Sequence, residues 1–220
     1  MTIKQNLKDV KDRITKSALR VYRHPEDIKL IAVTKTFPVD VINKAIDLGI
    51  NSIGETKVQE AKKKFEKIGK KVEWHMVGHL QSNKVKDAVK IFDVIHSIDR
   101  MKITKKVSDK CLELNRKMPV LVQVNLTEDK FGVKPEETVE FVKRINILQG
   151  IKVEGLMTIA PFVKPEETRP YFQKMKELAS LCNLEHLSMG MSNDFEFAIE
   201  EGATMVRIGT AIFEQRIDLK

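Results

Sequence analysis

The sequence has very little cysteine and no long hydrophobic segment. Its 220 residues include two cysteines, Cys111 and Cys182, which stand far apart and form no CxxC pair. We therefore expect two reduced thiols packed as small hydrophobic residues, with neither a disulfide framework nor a metal centre. No run reaches the roughly 18 uncharged apolar residues of a membrane-spanning helix, and charges interrupt the N-terminal segment where a signal peptide would be apolar. These absences predict a cytoplasmic protein that does not contact the membrane.

Common nucleotide-binding motifs and aromatic-rich basic segments are also missing. Neither GxxxxGK(S/T) nor GxGxxG occurs. Lysine and arginine number 39 against 31 acidic residues, so the net charge of +8 favours an anionic partner, such as nucleic acid, an acidic membrane or a phosphorylated small molecule. Aromatic residues make up only 6% of the chain, with a single tryptophan, which leaves no stacking platform for bases. We therefore expect no nucleic-acid partner.

What the sequence does contain is a regular alternation of short apolar or β-branched runs with longer segments of helical spacing. Strands that alternate with helices pair in parallel, because each crossover returns the chain to the same end of the sheet. Eight such units in about 200 residues predict an α/β fold, a single (β/α)8 TIM barrel, with a doubly wound open sheet as the alternative. An extra helix over residues 4–21 precedes the barrel, and no linker divides the single domain of residues 1–220. The predicted strands are 30–34, 51–54, 73–77, 92–96, 120–125, 153–158, 186–189 and 205–208.

The ends of these strands select the candidate functional residues. In a TIM barrel, chemistry is carried by residues at the C-terminal ends of the strands and in the loops that follow them. The residues at these places are Lys35, Glu55, His79, His96, Asn125, Thr158, the loop of residues 190–193, and Gly209 with Thr210.

Lys35 closes the run LIAVTK, so its amine is expected to project from the mouth of the barrel. A neutral lysine amine attacks carbonyl carbons, and Schiff-base formation is its natural use. A class I aldolase acting on a sugar phosphate would use the lysine in the same way. The alternative is a strand-end lysine that only reaches solvent.

Two late loops have the composition of a phosphate site. The stretch SMGMSND, residues 188–194, places Gly190 and Ser192 just before a helical pattern, and RIGTAIF adds Gly209 and Thr210. Backbone N–H groups at a helix start attract phosphate, and the last two loops of a barrel often share such a site. Taken singly, each loop is equally consistent with simple helix capping.

A histidine pair offers a weaker alternative. His75 and His79 have the spacing of a helical metal pair, but the segment HMVGH is predicted to be a strand and lacks the glutamate of HExxH. Along a strand the two side chains would lie about 13 Å apart, too far to share one ion. We therefore predict no metal site.

Six segments together resemble a known family. They read IAVTK, IGETKVQE, EWHMVGHLQSNK, EGLMTIAP, LSMGMSND and MVRIGTAIF, in this order, across residues 28–213. In order and spacing they resemble the YggS/PROSC family of pyridoxal 5′-phosphate (PLP) homeostasis proteins. More distantly, the chain is similar to the N-terminal barrel of alanine racemase, of PLP fold type III.

The resemblance implies a role for each of five residues. Lys35 would hold PLP as a reversible Schiff base, and Ser192, Gly209 and Thr210 would hold its phosphate. Arg207 would face the pyridine nitrogen, which keeps the ring unprotonated and makes it a weak electron sink. Lys130 is the lysine that we would suspect next if Lys35 were not the attachment point.

Several positions depart from the related patterns. Thr56 replaces a family asparagine, Glu214 replaces a family glycine, and Val39 stands where the racemase barrel has a phosphate-binding tyrosine. The chain also shows no second domain of the kind that supplies the racemase base on the opposite face. We therefore expect a non-catalytic, monomeric carrier that acts in vitamin B6 homeostasis and serves PLP-requiring apoenzymes, without catalytic residues. A PLP-dependent amino-acid racemase or lyase is the alternative.

Overall fold

The computed structural model describes residues 2–127 and 131–213, and these form a closed barrel of eight parallel strands. Each strand pairs with the next along the chain, and β1 pairs with β8 in the register Lys29 to Met205. The predicted TIM barrel is therefore confirmed, and the open-sheet alternative is wrong. The strands are β1 (Lys29–Val33), β2 (Ser52–Glu55), β3 (Glu73–Met76), β4 (Val94–Ile98), β5 (Met118–Gln123), β6 (Ile151–Met157), β7 (His186–Ser188) and β8 (Met205–Ile208).

Helices surround the barrel. Short 3-10 helices cover Pro25–Asp27, Gly69–Lys71 and Pro165–Thr168. Among the described residues, no helix is long and apolar enough to cross a bilayer. The α-helices are α1 (Ile3–Arg20), α2 (Val39–Asp47), α3 (Val58–Ile68), α4 (Val85–Ile91), α5 (Met101–Glu113), α6 (Pro135–Ile145), α7 (Arg169–Leu181), α8 (Phe195–Glu200) and α9 (Thr210–Phe213).

The predicted extra helix is α1. Thr2 caps it by accepting a hydrogen bond from the Gln5 N–H at 3.2 Å. Its apolar positions recur every three or four residues, and this buried stripe packs against α8 and α9. Asn6 Nδ2 also donates to the Ile212 carbonyl at 3.1 Å, so α1 holds the short helix that follows β8.

Side chains alternate between the barrel interior and the layer beneath the helices. Residues with one parity on each strand point inward, as the period of two in a strand requires. An apolar cluster inside the barrel contains Ile31, Val94, Leu121, Met157 and Met205. The larger core lies between the strands and the helices, and its fully buried members include Trp74, Phe92, Phe172 and Phe195.

Two predicted strand-end residues lie elsewhere. The predicted strand 92–96 is shifted by two residues, because Phe92 ends α4 through its N–H bond to the Ala88 carbonyl and Asp93 accepts the Trp74 N–H. His96 therefore lies in the middle of β4, buried in the barrel interior. Glu55 is the last residue of β2 and is fully buried against α3 instead of facing the mouth.

Candidate functional site

A cavity of about 690 Å³ opens at the C-terminal ends of the strands. Residues at the C-terminal ends of β1, β6, β7 and β8 and in the loops that follow these strands line it. They include every residue predicted from the resemblance to contact the cofactor: Lys35, Ser192, Arg207, Gly209 and Thr210.

Lys35 extends from the end of β1 into this cavity with an exposed side chain. The chain turns sharply after it, because Thr36 has a φ of 72° and its N–H donates to the Glu60 carboxylate. The preceding residue, Thr34, is buried and donates from Oγ1 to Glu55 Oε1 at 2.6 Å. The backbone on both sides of Lys35 is thus fixed by contacts to β2 and α3.

Lys64 of α3 lies at the centre of this anchor. Its Nζ donates to the Thr34 carbonyl at 2.6 Å, to Glu55 Oε1 at 2.6 Å and to Glu60 Oε1 at 2.7 Å. Burial raises the pKa of Glu55, although the hydrogen bonds from Lys64 and Thr34 oppose that shift. Burial also acts to raise the pKa of Glu60, but hydrogen bonds from Lys64 and Thr36 outweigh it and lower that pKa. We call Thr34, Glu55, Glu60 and Lys64 the Lys64 anchor.

The loop between β7 and α8 is folded tightly. Gly190 has a φ of 88°, and a Cβ there would lie 2.6 Å from the Cβ of Ala198, so only glycine fits. Asp194 Oδ1 accepts the Met191 N–H at 2.6 Å. The Asp194 side chain therefore turns back into its own loop and makes no hydrogen bond that caps α8.

Donors from the β7–α8 loop and the loop after β8 meet at one wall of the cavity. Ser192 Oγ accepts the Ala211 N–H at 3.3 Å, which leaves the hydroxyl hydrogen available to a ligand. Four further backbone N–H groups along this wall have no hydrogen-bond acceptor among the described residues. They belong to Ser192, Asn193, Gly209 and Thr210. This cluster of donors and the Lys35 amine line the same cavity, which suits a ligand that carries both a phosphate group and an aldehyde.

Arg207 is almost fully buried at the base of the cavity, with 4% of its surface exposed. Its Nη1 donates to Ser188 Oγ and its Nη2 to the Thr158 carbonyl, each at 2.7 Å. Burial lowers the pKa of Arg207 to about 10, partly opposed by Asp194, so the guanidinium stays charged at neutral pH. Among the described residues, hydrogen bonds occupy two of its five donors, which leaves donors that could serve a ligand.

The remaining predicted residues do not join this site. His79 stacks on Phe131 with ring centroids 3.8 Å apart and lines a neighbouring cavity with Lys57, Lys63 and Lys84. Burial lowers the pKa of His79, with Asp99 opposing the shift. Asn125 accepts the Thr127 N–H and lines another cavity, while Thr158 is buried and contributes its carbonyl to Arg207.

Comparison with known proteins identifies the family. The family described as alanine racemase, N-terminal domain, matches residues 3–216. The chain belongs to this family. It is 42% identical over 222 residues to the pyridoxal phosphate homeostasis protein of Aquifex aeolicus (strain VF5), covering 96% of this chain and 97% of the relative. The protein of the same name from Escherichia coli (strain K12) is 38% identical over 228 residues, covering 97% of each chain.

Solved structures of similar proteins agree with the fold. PipY of Synechococcus elongatus PCC7942, solved with PLP bound, is 34% identical with a TM-score of 0.84, over 96% of this chain and all of PipY. Alanine racemase of Clostridium difficile 630 is 17% identical with a TM-score of 0.72, over 96% of this chain and 58% of the racemase. The racemase comparison therefore supports the fold alone.

Departures from the family pattern fall at different places. Thr56 lines both the Lys35 cavity and the neighbouring one, so it stands at the site where the family asparagine is expected. Val39 begins α2 and does not line the Lys35 cavity. Glu214 and Lys130 lie outside the described residues.

Sequence reasoning missed the contacts among a set of polar residues inside the barrel. Below Arg207, Ser188 Oγ lies 2.9 Å from His96 Nδ1, and His96 Nε2 lies 2.8 Å from His75 Nδ1. His75 Nε2 then lies 3.0 Å from Glu73 Oε2, at an angle too poor for a good hydrogen bond. We call Arg207, Ser188, His96, His75 and Glu73 the polar column. The inward parity of each strand was the available signal, but their contacts depend on the register between strands.

Proposed function

We propose that this chain binds PLP and acts in PLP homeostasis, holding the cofactor as a reversible Schiff base on Lys35. The cofactor supplies an aldehyde to which an amine adds with loss of water. The observation that carries the proposal is that Lys35, Ser192, Arg207, Gly209 and Thr210 line one cavity. The relatives named as PLP homeostasis proteins and the PLP-bound PipY structure support the same assignment.

Each side of the cavity has a separate task in this proposal. The Lys64 anchor fixes the backbone from which the Lys35 amine reaches into the cavity. The donors at Ser192, Asn193, Gly209 and Thr210 bind the phosphate dianion. Arg207 donates to the pyridine nitrogen and keeps it unprotonated, because a guanidinium does not release its proton at neutral pH.

The groups around the cavity favour binding without turnover. Among the described lining residues, the titratable ones are Lys35, Asp194 and Arg207. Asp194 is occupied by the Met191 N–H, and burial raises its pKa. Abstraction of a substrate proton needs a base positioned within hydrogen-bonding reach, and racemisation needs one on each face. We therefore propose a carrier, with an amino-acid racemase or lyase as the competing function.

The rim of the cavity supports exchange with other proteins. Phe162 is 95% exposed there, beside the exposed side chains of Ile159 and Val163. Nothing among the described residues covers this rim. A cofactor held beneath an open rim can be passed to an apoenzyme. We propose that the chain does this as a cytoplasmic monomer made of one domain, residues 1–220.

A reduction experiment tests the attachment. The purified protein is loaded with PLP, its visible spectrum is recorded before and after borohydride, and the labelled peptide is identified by mass spectrometry. We expect the label on Lys35, and Lys35→Ala should abolish the visible band while leaving the fold intact. Lys57→Ala is the matched control, because Lys57 is an exposed lysine that lines the neighbouring cavity. A label found mainly on another lysine would refute the assignment.

A further inference from the structure

The polar column has one self-consistent arrangement of hydrogens. Arg207 can only donate, so Ser188 Oγ accepts from Nη1 and its own hydrogen is left for His96 Nδ1. His96 must then carry its hydrogen on Nε2 and donate it to His75 Nδ1, 2.8 Å away. His75 in turn carries its hydrogen on Nε2, next to the Glu73 carboxylate. The hydrogens on Ser188 Oγ, His96 Nε2 and His75 Nε2 therefore all point away from Arg207.

The reverse arrangement leaves unfavourable contacts. With both histidines neutral and protonated on Nδ1, the bare His75 Nε2 would face the Glu73 carboxylate across 3.0 Å. Burial is the main cause that lowers the pKa of His96 well below its usual range, and the nearby charge of Arg207 acts in the same direction, so a charged His96 is also disfavoured. Placing the extra proton on His75 would leave the Ser188 hydrogen with no acceptor in the column.

The column ends on a fixed charge at the opposite end of the barrel. Glu73 begins β3, and its Oε2 lies 2.7 Å from Lys29 Nζ at the start of β1. Ser52 Oγ donates to the same oxygen at 3.2 Å. Contact with His75 is the main cause that lowers the pKa of Glu73 to about 2, so the carboxylate stays ionised. The negative end of the column is therefore permanent at neutral pH.

We infer that Ser188, His96, His75 and Glu73 are positioning residues that set the direction in which Arg207 faces the cofactor. A buried arginine has a long side chain and needs fixed acceptors to hold one orientation. The Thr158 carbonyl supplies one acceptor, and Ser188 Oγ supplies the other only while its hydrogen is held by His96. Glu73 fixes the histidine tautomers on which that depends. This inference rests on the proposed function, since it gives Arg207 a ring nitrogen to face.

The first test uses the protein without cofactor, so it does not depend on the proposed function. Long-range proton–nitrogen NMR of the histidine side chains reports which ring nitrogen carries the hydrogen. His75→Gln and His96→Gln assign the two signals among the five histidines. We expect both rings to be neutral with hydrogen on Nε2. Hydrogen on Nδ1, or a charged ring, at neutral pH overturns the inference.

The second test uses the PLP-loaded protein and measures the pH midpoint at which its visible absorption changes. Ser188→Ala removes the side-chain acceptor of Arg207 Nη1 and should shift the midpoint by about one pH unit. Glu73→Gln, at the far end of the column, should shift it by about half a unit. Ser188→Thr keeps the hydroxyl and should restore the wild-type midpoint.

A matched control separates this effect from the loss of any ion pair on a strand. Glu154→Gln breaks the 2.9 Å contact with Lys152 in β6, outside the column, and should leave the midpoint unchanged. If the wild type carries PLP on Lys35 but Ser188→Ala or Glu73→Gln keeps the wild-type midpoint, the inference is wrong and the proposed function stands. If the wild type binds no PLP, the proposed function fails, and the histidine NMR alone tests the arrangement of hydrogens in the polar column.

Discussion

Ser192 Oγ accepts the backbone N–H of Ala211 at 3.3 Å, and this hydrogen bond joins the β7–α8 loop to α9. One hydroxyl thus connects two segments that lie 19 residues apart in the chain. We call the donors of Ser192, Asn193, Gly209 and Thr210 the phosphate wall. The Ser192 hydroxyl fixes the relative position of these donors and adds its own hydrogen to them. The side chain proposed to bind phosphate is therefore also part of the scaffold.

Ser192→Ala should weaken PLP binding by roughly ten- to a hundredfold, because a hydrogen bond to a charged acceptor contributes about 1.5 to 3 kcal/mol. The affinity is measured by titration of the visible band. Pyridoxal, which lacks the phosphate, is the control ligand and should bind almost unchanged. Equal weakening of both ligands would mean that the serine acts only by holding the loops together.

Thr210→Val tests phosphate binding separately from the contacts that hold the two loops together. Thr210 lies exposed at the start of α9, and its hydroxyl makes no hydrogen bond to the described residues. Removing this hydroxyl should weaken PLP binding by about tenfold while leaving the thermal midpoint of the cofactor-free protein unchanged. Unchanged affinity for PLP would remove Thr210 from the phosphate site.

Lys64→Met should destabilise the fold and loosen the segment that carries Lys35. It removes the cation from the buried Glu55 and the half-buried Glu60, and breaking the buried Glu55 pair by deleting one partner costs about 3 to 5 kcal/mol. Urea unfolding measures this loss. In the double variant with Glu55→Gln, part of the stability should return, because no buried carboxylate then lacks its cation. Additive losses in the double variant would contradict the pairing.

The same pair predicts a pH dependence. The folded-state pKa of Glu55 is raised, so the folded protein binds more protons than the unfolded chain. The free energy of unfolding therefore falls as pH rises from the unfolded-state pKa to the folded-state pKa of Glu55. Lys64→Met should strengthen this fall, since the hydrogen bond and charge of Lys64 then no longer oppose the effect of burial on the Glu55 pKa. Glu55→Gln should remove it. Urea unfolding of wild type and both variants at several pH values between about 4 and 8 gives the slopes.

Glu73 should have the opposite pH dependence. Its folded-state pKa is lowered to about 2, so its contribution is present above the usual glutamate pKa and is lost as pH falls towards 2. The difference in unfolding free energy between wild type and Glu73→Gln should therefore shrink between about pH 5 and pH 2. Glu154→Gln is the control for general acid effects. A difference that stays constant over this range would show that Glu73 is not held ionised by the fold.

The residues that sequence reasoning identified are those at which a strand end coincides with distinctive chemistry. Lys35 closes an apolar run, and Gly209 and Thr210 directly follow β8, so strand order alone brings them to one mouth. Glu55 and His96 were misplaced because a shift of one or two residues in a strand boundary decides whether a side chain lies beyond the strand or within it. Within the strand, the position of the residue then decides whether its side chain points into the barrel or towards the helices.

The supporting residues were hidden for a different reason. Lys64 is one of three consecutive lysines in α3. Helical spacing places it in the buried stripe with Ala61 and Ile68, but its contacts with Thr34 and Glu55 depend on how α3 packs against β1 and β2. His96 and Ser188 are 92 residues apart in sequence, and their contact depends on the registers of the strands between them. Neither composition nor helical spacing encodes such long-range pairs.

Arg207→Gln tests the non-catalytic reading most directly. Arg207→Glu would place a buried carboxylate against the Thr158 carbonyl and should fail through misfolding, whereas a glutamine can still donate to that carbonyl. Without the guanidinium, the ring nitrogen of bound PLP can accept a proton, so the variant should bind PLP more weakly but racemise or transaminate amino acids slightly faster than wild type. Wild type itself should match the rate of free PLP, as measured by chiral chromatography of incubated alanine. Brisk turnover by wild type that is abolished in Arg207→Gln would contradict the carrier function and establish the racemase or lyase function instead.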